Sequence, residues 1–81
     1  MPITVRLFAA ARSAAGTDEV RLEPGSLEGV TTELIRQYPD LGSVLPRCSY
    51  LVNGTAVHGD MASINIADED ELDVLPPFAG G

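Results

Sequence analysis

From Ser26 to Tyr38 the chain carries its one long amphipathic pattern, and that single stripe limits the folds open to it. Leu27, Val30, Thr31, Leu34, Ile35 and Tyr38 recur at helical spacing and define one face. Glu28, Glu33, Arg36 and Gln37 fall on the other. Ser26 stands where an N-cap hydroxyl is wanted, and Pro39 cannot continue a helix. Burying Leu34 or Ile35 contributes on the order of 1.5–3 kcal/mol each, so this face must find a cover. Whatever covers it is built mostly of short β-like segments.

Those segments are legible one by one. Ile3-Thr4-Val5-Arg6-Leu7-Phe8 alternates and is rich in β-branched residues, which predicts a strand. Ile3, Val5 and Leu7 face one way, and Thr4, Arg6 and Phe8 the other. Phe8 to Ala15 is Ala-rich and predicts a short helix with Gly16 as its C-cap. Glu19 to Leu22 is a second strand, closed by the turn residues Pro24 and Gly25. Asp40 to Arg47 is a connector with one helical turn at 41–45. Tyr50-Leu51-Val52, Asn53-Gly54 and Thr55-Ala56-Val57 form a hairpin, because Asn-Gly supplies the positive φ angles of a type I′ turn. His58 to Ile66 is a crossing loop, Asp68 to Glu71 an acidic turn, and Leu72 to Leu75 the last strand.

Strand, short helix, strand, long helix, strand pair, strand predicts an α+β protein of the β-grasp, ubiquitin-like kind. Its sheet is mixed, of four to five strands, with one main helix packed on one face. A ferredoxin-like fold is the rival, but it needs two comparable amphipathic helices, and the Ala-rich segment is too short. Residues 1–75 form the domain and 76–81 an extended tail.

With 81 residues, 44% of them apolar, the chain supports one modest core. Its net charge of −7 argues against nucleic acid and anionic membrane as partners and favours a basic protein surface. The basic residues are five arginines and no lysine, so no side-chain amine is present to accept the chain's own C-terminus. Cys48 stands alone, which excludes an internal disulfide, and no Cys/His spacing suggests a metal site. No basic-then-apolar leader and no run of about 20 apolar residues is present, and a cytoplasmic location is expected.

The functional signal lies in Pro76-Pro77-Phe78-Ala79-Gly80-Gly81. Two terminal glycines lack Cβ atoms and make a slender end that fits a narrow tunnel. Six residues reach at most about 20 Å, enough to enter a deep pocket while the domain docks outside. Pro76 and Pro77 favour extension and limit the entropy lost on insertion. A carboxylate is a poor electrophile, but joining it to AMP supplies a good leaving group that a sulfur nucleophile displaces. No catalytic side chain is needed on the protein that carries it.

Leu75-Pro76-Pro77-Phe78-Ala79-Gly80-Gly81, with Val5 to Arg12 and Gly16, Leu51-Val52-Asn53-Gly54 and Asp70 to Val74, resembles the MoaD/ThiS family of ubiquitin-like sulfur carriers over the whole chain. Pro-Pro-Phe before the glycines is more particular to its molybdopterin branch. The resemblance implies that a MoeB-like or E1-like enzyme adenylates Gly81. A sulfur donor protein then converts the adenylate to a thiocarboxylate. The tail enters a MoaE-like large subunit of molybdopterin synthase, within a heterotetramer, and gives its sulfur to cyclic pyranopterin monophosphate. The active site would lie in that large subunit, and this chain would hold no permanent cofactor, only a transient AMP adduct. Gly81 bears the reactive carboxylate, while Gly80, Ala79, Phe78, Pro77, Pro76, Leu75 and Phe8 meet the partner. Carriers for thiamin thiazole or for cysteine share this chemistry, and a ubiquitin-like modifier joined to a lysine is the other reading.

Four features outside the tail need placing. Phe8 and Leu75 both point away from the core on strands expected to be neighbours, and so form an exposed apolar docking patch or, for Phe8, pack beneath the short helix. Cys48 is expected to be a half-buried structural thiol, since no base stands near it in sequence. His58 is expected at the surface. The acidic run Asp68 to Asp73 lacks the spacing of a calcium loop and is expected to be a solvated turn.

Overall fold

Alternation decides the first element: Ile3, Val5 and Leu7 are buried while Thr4 and Arg6 are half-exposed, which makes β1 (Ile3–Leu7) a strand with one wet face. The computed structural model describes residues 1–77. After β1 come α1 (Ala9–Ala15), β2 (Glu19–Leu22), β3 (Gly25–Ser26) and α2 (Leu27–Gln37). Two 3-10 turns follow, Pro39–Ser43 and Leu45–Arg47, then β4 (Ser49–Val52) and β5 (Thr55–Ala56). A third 3-10 turn, Met61–Ser63, leads to β6 (Asn65–Ile66) and β7 (Glu71–Leu75).

Among the described residues the main sheet has five strands in the order β2-β1-β7-β4-β5, and β3 pairs with β6 beside it. The central pair, β1 with β7, is parallel, and the flanking pairs are antiparallel. This is the β-grasp arrangement: the first and last strands lie side by side, and α2 fills the inner face. Ile3, Val5, Leu7, Leu72 and Val74 from the sheet and Leu27, Val30 and Leu34 from α2 join one buried cluster.

Local chemistry explains the ends of the helices. The Ser26 hydroxyl accepts the Gly29 N–H at 3.0 Å, and α2 stops at Tyr38, whose N–H donates to the Leu34 carbonyl at 2.8 Å. Gly16 closes α1 at φ 75°, a left-handed position that favours glycine, and donates to Arg12. Asn53 and Gly54 have φ of 50° and 82°, the pair of positive angles that a type I′ turn needs.

The fold departs from the sequence reading where tertiary contacts decide. Gly25 belongs to a two-residue strand, β3, that also supplies the Ser26 cap. Ile66, placed in the crossing loop, sits in β6 and is fully buried. The connector supplies two core residues, Leu41 and Leu45.

On the solvent face of α2, Arg36 donates to both carboxylate oxygens of Glu33, and Gln37 adds a third hydrogen bond at 2.8 Å. These bonds hold the Glu33 carboxyl down to about 2, with Arg36 the main cause. A carboxylate whose folded value lies below its ordinary 4.5 stabilises the fold above that value and loses its contribution as pH falls toward 2. Glu33→Gln is therefore expected to flatten the fall of the thermal midpoint between pH 4.5 and 2 and to leave its slope near neutrality unchanged, as measured by circular dichroism melts.

Candidate functional site: the tail base and the outer sheet face

The tail springs from the middle of the sheet. On one side of β7, Leu7 is in register with Val74, and the Phe8 N–H donates to the Val74 carbonyl at 3.1 Å. On the other side Ser49 is opposite Leu75. Pro76 and Pro77 follow, both exposed. The end of β7 is thus flanked by a neighbouring strand on both sides, which fixes the direction in which Pro76 and Pro77 leave the sheet.

The outer face of the sheet beneath this exit carries an ion pair. Arg6 and Asp73 are partners across β1 and β7. The guanidinium donates Nε–H to Oδ1 at 2.7 Å and Nη2–H to Oδ2 at 2.9 Å. Asp73 is only 8% exposed. Such a fork-to-fork pair offsets the cost of taking the carboxylate out of water. The bond to Asp73, and then its charge, raise the Arg6 pKa above its ordinary value. Arg6 also stands 6.0 Å from the centroid of the Phe8 ring, within cation–π range.

Phe8 and Leu75 are both half-buried. For Phe8 this falls between the two expectations, an open patch and a ring packed beneath the short helix: Phe8 lies partly under Arg6, at the junction where Ala9, at φ 51°, turns β1 into α1. Phe8 also borders a groove of about 400 Å³ together with Ala10, Val44, Cys48, Pro76 and Pro77. The structure therefore brings four of the sequence-predicted site residues, Phe8, Leu75, Pro76 and Pro77, to one end of the molecule. Phe78, Ala79, Gly80 and Gly81 lie outside the described residues.

The remaining candidates fall into supporting roles. Cys48 is half-buried; its thiol donates to the Val44 carbonyl at 3.3 Å, and burial pushes its pKa up. It is a thiol packed in a wall, and not an activated nucleophile. Its neighbour Tyr50 donates to Leu45 at 2.9 Å and is pushed up to about 12, chiefly by burial. His58 is exposed. The acidic run divides. Asp70 accepts from Asn53 Nδ2 at 2.9 Å and from the Ala67 N–H at 2.8 Å, which lowers its pKa and ties the turn to the hairpin. Asp73 is no part of a solvated turn, because its strand position sends it under Arg6. Sequence reasoning missed this pair, although the signals were present: Arg6 shares the outward parity of Phe8, and Asp73 interrupts an apolar strand.

A β-grasp body with a strand-anchored exit for its last residues defines a ubiquitin-like protein. The chain belongs to the ThiS family, whose signature matches residues 5–81. It is 32% identical over 84 residues to the molybdopterin synthase sulfur carrier subunit of Chlamydomonas reinhardtii, with 100% of both chains covered. Among solved structures it is similar to small archaeal modifier protein 1 of Methanosarcina acetivorans, with TM-score 0.83 and 30% identity over 99% of this chain and 96% of that one. Its similarity to SAMP1 from Haloferax volcanii has TM-score 0.81 and 25% identity, with 100% of both chains covered.

Two outcomes follow from the geometry. Arg6→Ala leaves a nearly buried carboxylate without its partner and is expected to lower the thermal midpoint more than Arg21→Ala, whose contact with Glu19 is exposed and 3.9 Å long. Cys48→Ala is expected to retain the fold and to leave sulfur acquisition and delivery intact, as judged by mass spectrometry of the intact chain.

Proposed function

We propose that this chain is the sulfur carrier of molybdopterin synthesis and that the Gly81 carboxylate is the atom group it lends. The reading is carried by one combination: the family match runs through Gly80 and Gly81, and Pro76 and Pro77, which precede that segment in sequence, follow a strand flanked by neighbours on both sides. Full-length similarity to a molybdopterin synthase sulfur carrier subunit supports the same pathway for this chain.

The chemistry asks little of the domain itself. A carboxylate oxygen of Gly81 attacks the α-phosphorus of ATP, and pyrophosphate leaves. A sulfur nucleophile from a donor protein attacks the acyl carbon, and AMP leaves as the C–O bond to phosphate breaks. With a donor persulfide as that nucleophile the product is an acyl disulfide; a second thiol then attacks the donor-side sulfur, forms a disulfide with it, and the Gly81 thiocarboxylate leaves. In the large subunit the thiocarboxylate sulfur attacks an oxygen-bearing carbon of the pterin precursor, whose C–O bond breaks as water or phosphate leaves; water then attacks the acyl carbon of the thioester, which leaves the thiolate on the pterin and returns the carboxylate. The domain's contribution is positional. Phe8, Leu75 and the groove beside Pro76 offer a partly apolar surface at the tail's root, and the acidic body suits a basic partner. Proline extension limits the ordering cost when the tail enters a tunnel.

Incubated with an adenylating enzyme, ATP and a sulfur donor, the chain is expected to gain the mass of sulfur for oxygen on the peptide containing Gly81. Deleting Gly81, or adding one residue after it, is expected to abolish molybdopterin formation with the thermal midpoint unchanged. Normal synthesis by an extended chain verified as uncleaved would overturn the reading. Similarity to small archaeal modifier protein 1 favours a second use, attachment of Gly81 to a lysine of another protein. An amide-linked adduct of higher mass is the outcome that distinguishes it, and self-attachment through a side chain is excluded because the chain has no lysine.

A further inference from the structure

One cleft is remote from the tail base. It encloses about 590 Å³ between the outer edge of the sheet and α2. Leu22, Pro24 and Gly25 border it from the sheet side, and Gly29, Val30 and Glu33 from the helix. Leu22 and Val30 are otherwise buried, so the cleft exposes a strip of the core's margin.

Among the described residues the strand beside this cleft has an unpaired edge. β2 is terminal in the sheet order, and its other side pairs with β1. The phase of that ladder is fixed by the Leu7 N–H, which donates to the Asp18 carbonyl at 2.9 Å. Leu7 and Asp18 extend the register in which Val5 faces Val20 and Ile3 faces Leu22. In an antiparallel ladder the bonded pairs alternate, so Val20 and Leu22 spend their backbone groups on β1, while those of Glu19 and Arg21 point outward. The Thr17 hydroxyl donates to the Glu19 carbonyl at 3.3 Å, as an outward carbonyl allows. No proline interrupts Glu19–Leu22, and the opposite edge, β5, is two exposed residues long.

Edge and cleft coincide, and one ligand shape satisfies both. An extended strand laid along β2 would bond to the outward groups of Arg21. Every second side chain would enter the space between β2 and α2, because strand side chains alternate across the sheet plane. Of the charged groups at the cleft, Glu33 is paired with Arg36 and Arg21 lies 3.9 Å from Glu19, which leaves the Glu23 carboxylate, and the whole chain carries −7. That balance selects basic residues on the ligand. A second copy of this chain is a poor occupant: its edge is four residues long and it brings another seven negative charges. We propose that the β2 edge and its cleft form a binding site for an extended partner segment that alternates small apolar and basic residues, added to the sheet as a sixth strand.

The test is a titration of the 15N-labelled full chain with acetyl-Lys-Val-Lys-Val-Lys-Val-Lys-amide, followed by amide shifts. Saturable changes confined to residues 19–25 and 29–37 are expected. The same peptide N-methylated on the residues that face β2 is expected to bind at least about tenfold more weakly, since it keeps the side chains and loses the backbone bonds. Arg21→Pro, which removes an N–H the ladder with β1 does not use, is expected to do likewise. The N-methylated peptide keeps the test decisive if that variant fails to fold. A glutamate-for-lysine version of the peptide is expected not to bind. Absence of saturable shifts, shifts centred elsewhere, equal binding of the N-methylated or glutamate peptide, or concentration-dependent shifts of the β2 amides without peptide, which would make a second copy the occupant, would each overturn the proposal.

Discussion

The parallel pairing of β1 with β7 is the constraint on which the rest of the molecule depends. It joins the two ends of the described chain, and parallel neighbours cannot be linked by a tight turn, so the chain between them must cross over a face of the sheet to return. α2 and the 3-10 turns occupy that excursion and cover the inner face. The pairing also puts Arg6 opposite Asp73, so one ion pair ties the first strand to the last on the side the helix leaves open. A carboxylate that is 8% exposed is tolerable there only because a guanidinium meets both of its oxygens.

That geometry separates two tasks. The domain is held together by the buried cluster on the inner face, while the proposed reaction is assigned to an end that follows two prolines beyond β7. Chemistry at such an end needs reach and correct aim, and the neighbouring ladders supply the aim. Phe8 links the two regions. Its backbone bonds to β7, its ring lies near Arg6, and it borders the groove beside the prolines. Cys48 in the same groove is an ordinary packed thiol, consistent with a protein whose proposed electrophile is its own carboxylate.

Much of the fold was legible because local rules and the tertiary structure agree. The period of α2, its Ser26 cap and Pro39 stop, the Gly16 closure of α1 and the Asn53-Gly54 turn are settled by backbone preferences that act over a few residues. What was not legible depends on residues distant in sequence. Leu41, Leu45 and Ile66 sit in segments with no period, and only their neighbours in space bury them. The two-residue strands β3 and β6 are too short to leave a pattern and exist because each completes the other. Asp73 looked like the end of a wet acidic run, and strand parity with a partner 67 residues away reversed that.

By itself the sequence determined the two helices, the longer strands and the Asn53-Gly54 turn, the acidic composition and the Gly80-Gly81 pair, because propensity, periodicity and composition are properties of short stretches. It also carried the family resemblance, which rests on the order of those stretches. Only the tertiary structure decided that Phe8 and Leu75 are half-buried, that Arg6 guards Asp73, and that, among the described residues, an unpaired strand edge runs beside a cleft of about 590 Å³. Exposure, ion pairing and strand order arise from contacts between residues far apart along the chain, and these are fixed only when the helix and the sheet close on each other.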